Sequence, residues 1–248
     1  MFALKLSEPR VLNACISVIS DFINEATFGV DKDGIKLVAM DPANISMVIL
    51  NLLPSTFSEY NVEANSEITV NLDKLKQALK RVKPTDSLAL TLDKNKLKIT
   101  VYGKSVKRFY IPLLERESKE RKIPAFDFMA TAEVDSLEFR DYIDDTSIVA
   151  DAIRFEADKN IFIISGGDVG SKVTVELTKG NDALLSIAAA GAVGSVYSSD
   201  YLKKMARAAA LADTVTVQFA NDYPLKLDFK SLNKLQMSFV LAPRIENK

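Results

Sequence analysis

The chain has 248 residues, 48% hydrophobic and 26% charged, with 32 basic against 33 acidic side chains; this is globular composition, enough for one large core or two ordinary domains, and it excludes disorder. Histidine is absent and Cys15 is the single cysteine, which removes Ser-His-Asp and Cys-His nucleophiles, histidine metal sites and any internal disulfide. No run of 18 apolar residues occurs and the opening MFALKLSEPR lacks a signal-peptide pattern, so a soluble intracellular protein with no membrane partner is expected.

In chain order, Phe2 to Leu6 alternates as a strand. Pro9 then opens a helix whose apolar stripe is Val11, Leu12, Cys15, Ile16, Ile19, Phe22 and Ile23, so that Cys15 reads as a core thiol. Strands are expected over Ala26 to Val30, Ile35 to Met40 and Ile45 to Leu52, joined by the turn DKDG and the connection DPAN. After a loop come a strand at Glu67 to Leu72, a helix at Asp73 to Val82, and strands at Ser87 to Leu92, Lys96 to Tyr102 and Val106 to Leu113. The segment LERESKERKIPAF is charged, follows neither period and contains Ile-Pro, so it reads as a linker over residues 116–127. From Phe128 onward the same order returns.

That return is a repeat. VNLDKLKQALKRVKPTDSLALTL from Val70 and YSSDYLKKMARAAALADTVTVQF from Tyr197 match at a separation of about 127 residues. Phe2 to Leu6 matches Phe128 to Ala132, and the strand at Ile35 matches the one at Ile161, at about 126. Two stacked copies of one small fold follow, as domains 1–115 and 128–248 with the connector between.

On a helical wheel, Leu72, Leu75, Ala78, Leu79 and Val82 share one face, leaving Lys74, Lys76, Lys80, Arg81 and Lys83 on the other. The counterpart helix turns Leu202, Met205, Ala206 and Ala209 inward and Lys203, Lys204 and Arg207 outward. Two equivalent basic faces without aromatic interleaving suit sequence-independent attraction to phosphates. A net charge of only −1 requires acid elsewhere, as at Asp31, Asp33, Glu59, Glu63, Asp127, Glu133 and Glu138, so that a duplex is held on one face and repelled from others. Asp31 with Asp33 in a turn, Asp144 with Asp145 at a helix end, and GGDVGS at 166–171 without a P-loop lysine all read as structural.

The stretch DFINEATFGVDKDGIKLVAMDPANISMVILNL from Asp21 to Leu52, LAPRIE from Leu241 to Glu246, Ile123-Pro124 and Tyr223-Pro224-Leu225 closely resemble the sliding clamps of the proliferating cell nuclear antigen (PCNA) family, of archaeal type. The resemblance spans essentially the whole chain. It implies an α+β DNA-clamp fold: two similar domains, antiparallel sheets outside, and two helices per domain lining a trimeric ring around duplex DNA. Arg10 would join Lys74, Lys76, Lys80, Arg81, Lys83, Lys203, Lys204 and Arg207 as the DNA-facing cations. It implies a processivity factor, not an enzyme, with no cofactor and no metal, tethering DNA polymerase, flap endonuclease and DNA ligase and served by a clamp loader.

Partners would insert an aromatic plug, through a short motif, into a pocket formed by Met40, Ile45, Met47, Ile123, Pro124, Phe128, Pro224, Val240, Ala242 and Pro243. Methionines and branched aliphatics make such a surface adaptable. Ring closure would pair the edge strand of Val106, Lys107, Arg108, Phe109, Tyr110 and Ile111 with that of Lys172, Val173, Thr174, Val175, Glu176 and Leu177, Pro112 sitting where no ladder bond is needed. The implied location is cytoplasmic and nucleoid-associated in an archaeon, nuclear in a eukaryote.

Two helices depart from the family pattern. The first has Asn13, Ala14, Ser17 and Ser20 on its polar face, with Arg10 its only strong cation. The helix opening the second domain carries Glu138, Asp141, Asp144 and Asp145 against Arg140, so it should repel phosphate or lie away from it. Homotrimer and heterotrimer both stay open. A clamp-like checkpoint subunit is the alternative, and a carboxylate- and Mg²⁺-dependent nuclease a more distant one.

Overall fold

A computed structural model describes residues 2–115 and 123–245; residues 116–122 of the expected connector, and Glu246 of the LAPRIE segment, lie outside them. The first half runs β1 (Phe2–Leu6), α1 (Arg10–Ile19), β2 (Glu25–Asp31), β3 (Gly34–Met40), β4 (Ser46–Leu52), a 3-10 turn (Pro54–Thr56), β5 (Glu59–Val62), β6 (Ser66–Asn71), α2 (Leu72–Leu79), β7 (Ser87–Asp93), β8 (Lys96–Tyr102) and β9 (Val106–Pro112). The second runs β10 (Ala130–Asp135), α3 (Ser136–Thr146), β11 (Ala152–Asp158), β12 (Ile161–Gly167), β13 (Lys172–Thr178), β14 (Leu184–Ala189), β15 (Val193–Ser198), α4 (Ser199–Ala206), a 3-10 turn (Arg207–Leu211), β16 (Thr214–Phe219), β17 (Leu225–Ser231) and β18 (Leu235–Leu241).

Two compact units result, but no single cut of the chain separates them. One comprises Met1–Pro42, Val48–Lys122 and Ser231–Gln236, the other Ala43–Met47, Ile123–Lys230 and Met237–Lys248. In the first, an antiparallel sheet has the order β5-β1-β7-β8-β9. A run β4-β3-β2-β6 builds the other wall, and α1 packs on α2. In the second unit the sheet β13-β12-β11-β15 answers the run β14-β10-β16-β17 and most of β18, with α3 packed on α4.

Period-2 alternation sets the faces, and the turns set the register. At DKDG, the Asp31 carboxylate accepts from the Asp33 N–H at 2.8 Å and from Lys36 Nζ at 2.9 Å. Its pKa is held low, the Lys36 hydrogen bond being the largest cause. Gly34 closes this turn at φ +136°, and a Cβ there would collide with the Leu52 carbonyl oxygen, so only glycine fits.

The two cores differ in kind. The first is aliphatic, with Leu4, Leu6, Ile16, Ile19, Leu50, Leu72 and Ile99 fully enclosed. Cys15 sits among them with 0% exposure, and burial pushes its thiol up to about 12. The second is aromatic: Phe155 meets Phe139, Phe162, Tyr197 and Phe219 at centroid distances of 5.5–6.2 Å, the separations at which edge-on and tilted rings attract.

Several sequence expectations are corrected. The supposed loop after Leu52 contains β5, which pairs along β1 with Leu4 opposite Tyr60; its alternation of polar Glu59 and Asn61 with apolar Tyr60 and Val62 is only four residues long, the shortest run that signals a strand. Helix α2 stops at Leu79 rather than Val82, because Arg81 and Val82 donate to Ala78 and Leu79 and tighten the last turn. Ladder registers also revise the repeat. Leu4 faces Leu90 as Ala132 faces Val217, so Leu4 corresponds to Ala132, two residues later than pattern matching places it, a shift that keeps the buried face. Val30 faces Ile35 as Ala157 faces Phe162, so Ile35 corresponds to Phe162 and not to Ile161. Both are buried, and a one-residue slip would have turned the strand over.

Candidate nucleic-acid and partner surfaces

Helix α2 is fixed before its charges are considered. The Asn71 side chain accepts from the Lys74 N–H at 3.0 Å, a standard N-cap, and Asp73 lies in the first turn, where the helix dipole favours an anion. Leu72, Leu75, Ala78 and Leu79 are buried, so Lys74, Lys80, Arg81 and Lys83 are exposed. Lys76 is the exception: its Nζ donates to Ser20 Oγ at 2.8 Å and lies 3.7 Å from Asp21, so it ties α2 to the end of α1. Val82, placed inward by the wheel, is half-buried because the helix has already ended.

Helix α4 repeats the pattern on the second unit. Leu202, Met205 and Ala206 are buried, Lys203, Lys204 and Arg207 are exposed, and Lys204 Nζ stands 5.3 Å from the Tyr201 ring centroid. On α1, Arg10 is exposed beside half-buried Asn13, Ala14 and Ser17. On α3, Asp135 caps the helix by accepting from the Leu137 and Glu138 N–H groups at 2.9 and 3.0 Å. Glu138, Asp141, Asp144 and Asp145 are exposed, and Arg140 is paired with Asp141 at 2.8 Å. Burial pushes the Tyr142 phenol up to about 12, helped by its hydrogen bond to Glu138 and the neighbouring carboxylates.

Both strands expected to pair across subunits lie at sheet edges, β9 beside β8 and β13 beside β12. Val106 and Tyr110 are 48% and 46% exposed, and Lys107, Arg108, Lys172, Thr174 and Glu176 are exposed too. Ile111 and Leu177 are not: at 4% and 2% exposure their side chains belong to their own cores, and only their backbone is at the edge. Pro112 ends β9 opposite Lys96, where a missing N–H is tolerated.

The residues assigned to the partner pocket are mostly drawn together in the second unit. The Ala242 N–H donates to the Ile45 carbonyl at 2.9 Å, which brings the start of β4 alongside Ala242 and Pro243. Ile45 and Ile123 are 40% and 50% exposed, Pro124 is exposed, and Phe128, Pro224, Ala242 and Pro243 are half-buried. Met47 and Val240 are each only 8% exposed, so their side chains belong to the core. Met40 ends β3 in the first unit. Sequence reasoning missed Phe126 and Tyr223: Phe126 stacks on Phe128 at 5.6 Å, and both rings meet Tyr223 edge-on at 6.3 and 6.1 Å. The alternation in Phe126-Asp127-Phe128 was the available signal. Among the described residues, no group of three or more Cys, Asp or Glu is placed to hold a metal ion.

Family models match both halves, that of the proliferating cell nuclear antigen N-terminal domain over residues 1–111 and that of the C-terminal domain over residues 122–244. The chain belongs to the PCNA family. It is 40% identical over 242 residues to the DNA polymerase sliding clamp of Nanoarchaeum equitans, covering 96% of this chain and 97% of that one. It is 36% identical over 232 residues to that of Pyrococcus furiosus, covering 93% of each. Among solved structures it resembles PCNA from Thermococcus kodakaraensis, with TM-score 0.92, 28% identity and coverage of 98% of this chain and 100% of that one. A chain of the PCNA2–PCNA3 complex of Sulfolobus tokodaii matches with TM-score 0.91 and 28% identity over the same shares. The expected clamp fold of two similar, largely antiparallel domains carrying four helices is therefore the fold of this PCNA chain.

Proposed function

We propose that this chain is a DNA sliding clamp and polymerase processivity factor, which encircles duplex DNA as a ring of three subunits and tethers replication and repair enzymes without catalysing a reaction itself. The observation that carries this reading is the equivalent exposure of Lys74, Lys80 and Arg81 on α2 and Lys203, Lys204 and Arg207 on α4, two cationic faces on helices whose other sides are locked into separate cores. Arg10, Lys76 and Lys83 supplement them. Phosphate contacts of this kind hold a duplex in any sequence and let it slide. The open edges β9 and β13 supply the head-to-tail pairing that closes a ring.

The apolar surface around Ile45, Ile123, Phe128, Pro224 and Pro243 receives the aromatic plug of a polymerase, flap endonuclease, ligase or clamp-loader motif. Topology gives the decisive experiment: loaded chain stays on closed circular duplex and leaves when the circle is cut, because a ring slides off an end. Equal loss from circular and linear DNA refutes encirclement. Mass by light scattering on the chain alone distinguishes a ring of identical subunits from one that needs related subunits.

A further inference from the structure

Helices carry the cations assigned to the duplex, but a second cationic surface lies on a sheet. In β8 the side chains of Leu97, Ile99 and Val101 enter the core, so those of Lys96, Lys98, Thr100 and Tyr102 lie on the opposite, solvent face. In β9 Phe109 and Ile111 turn inward, and the register places Val106 opposite Tyr102, Arg108 opposite Thr100 and Tyr110 opposite Lys98. On this face the two strands present three cations, two tyrosines and no carboxylate. Tyr102, Val106 and Tyr110 are 44%, 48% and 46% exposed, and Lys98 Nζ stands 6.0 Å from the Tyr110 ring centroid.

The equivalent face of the second unit shows what this one lacks. Leu90 faces Ile99 as Val217 faces Leu227, so Lys98, Thr100 and Tyr102 correspond to Lys226, Asp228 and Lys230. There the Asp228 carboxylate lies 3.8 and 3.2 Å from the two lysine ammonium groups, and the face neutralises itself. In the first unit buried Thr100 takes the place of that carboxylate. Among the described residues Lys96, Lys98 and Arg108 have no ion-pair partner. The acids that the other strands add to this face are Asp93, opposite Lys96 at the end of β7, and Glu59 on β5, paired with Lys5 at 3.0 Å.

We propose that the solvent face of β8 and β9 binds a single strand of DNA, with unpaired bases stacked on Tyr102 and Tyr110 and the linking phosphates held by Arg108, Lys98 and Lys96. The occupant follows from the chemistry. Cations alone attract any phosphate backbone, duplex included, as on α2 and α4. An exposed ring adds affinity only for a base whose own face is free, and inside a duplex neighbouring bases cover both faces. A sheet that sets aromatic rings among cations therefore selects unpaired strands. The two rings stand apart: Tyr110 lies opposite Lys98, four residues from Tyr102 along the pleat, or roughly 13 Å. Arg108 occupies the row between them, beside the short side chains of Thr100 and Ala89, which leave that row low enough for a strand to cross. Pairing of β9 along its edge uses backbone groups and not these side chains, so the face stays open whether or not a ring forms. The duplex-holding reading supplies DNA as the source, while the site itself belongs to one unit of one chain.

The test is anisotropy at low salt with a labelled oligothymidylate and, in parallel, a duplex of the same length. Light scattering and circular dichroism melts check that each variant assembles and folds as the wild type does. Tyr102→Ala/Tyr110→Ala should weaken oligothymidylate binding at least about tenfold and leave duplex binding within about twofold. Tyr102→Phe/Tyr110→Phe keeps both rings and should bind as the wild type does. Lys98→Glu/Arg108→Glu should also weaken the oligothymidylate, with a flatter salt slope. Should a change on the edge strand disturb assembly, Tyr102→Ala alone, on β8 within the sheet, should still lose at least about fivefold on the single strand only. Wild-type affinity in the alanine variants, an equal loss on duplex, or no oligothymidylate binding by the wild type overturns the site. None of these results bears on encirclement, which the circular-DNA experiment decides separately.

Discussion

Reversing Lys203, Lys204 and Arg207 to Glu in one chain is the cleanest probe of the duplex surface, because all three side chains are exposed while the opposite side of α4 is held by Leu202, Met205 and Ala206 at 0% exposure. The stability cost can be worked out in advance. Lys203 and Lys204 occupy the last turn of α4, where each cation interacts favourably with the helix dipole by about 0.3–1 kcal/mol. Replacing both by Glu removes that attraction and adds a repulsion of similar size, so the cost is about 1–4 kcal/mol, with a fall in Tm of about 2–4 °C for each kcal/mol in a chain of this size. The DNA effect is read separately, from the salt dependence. Each phosphate contact contributes about 0.9 to the slope of log affinity against log salt, so three lost contacts per subunit flatten it by about 2.7. Between 50 and 200 mM salt that amounts to about 40-fold less salt sensitivity for every subunit engaged. Anisotropy titrations on a labelled duplex across this range, with assembly mass measured in parallel, give the slope directly. An unchanged slope in a folded, fully assembled variant would mean that α4 does not face the duplex.

Four further outcomes are expected. Ile45→Lys and Ile123→Lys, at exposed pocket positions, should each weaken binding of an aromatic-tipped partner peptide at least tenfold in calorimetric titration, by leaving a charge against a buried plug at a cost of about 2 kcal/mol or more; Met47→Lys would also unsettle the fold, since Met47 is 8% exposed. In β13, N–H groups alternate between β12 and solvent, so of Thr174→Pro and Val175→Pro one should weaken the subunit's own sheet and the other should dissociate the assembly while leaving the subunit's melting temperature intact; two variants that both remain fully assembled would place the subunit junction elsewhere. Phe155→Ala, at the hub of the aromatic core, should cost about 3–5 kcal/mol in denaturant unfolding. The Cys15 thiol, raised from 9.0 to about 12, contributes stability fully present below pH 9 and lost as pH rises toward 12, so that at pH 10 on the order of 1 kcal/mol is gone. Cys15→Ala should remove that part of the alkaline decline, and an identical pH profile in the two proteins would contradict it.

How far the sequence disclosed this fold depends on what each element leaves in the pattern. Helices α2 and α4 were legible because a buried stripe and a charged face alternate at a fixed angle, and their equivalence at 127 residues was legible because both halves kept cap, stripe and strand together. β5 was not, since an alternation only four residues long, with no side chain fully buried, is easily read as part of a loop. The repeat was found while its registers were wrong at two places, for opposite reasons. At β1 the true offset differs by two, and a strand pattern is blind to even shifts. At β3 it differs by one, and the mismatch was masked because the isoleucine at either strand's start looked equivalent. Only ladder partners resolve such slips: Ala157 faces Phe162 as Val30 faces Ile35.

The surfaces were less legible than the core, because a solvent-facing charge has the same appearance in sequence whether it meets water, phosphate or a carboxylate on another chain. Lys76 shows the first ambiguity: on the wheel it ranked with Lys80 and Arg81, yet in the fold it is bound to Ser20 and Asp21 and is the least available of the three. Lys80 and Arg81 show the second, since they border a groove whose apolar floor comes from β9, some thirty residues further along the chain. Charge placed twice at equivalent positions argued for a common surface, but the two copies are not in equivalent surroundings. On α2 the cations stand beside an open strand edge and half-exposed Tyr110, whereas on α4 they lie on a helix packed against acidic α3. Duplicated halves that close a head-to-tail ring must diverge in this way, because each junction needs two different faces and a copied domain begins with the same one twice.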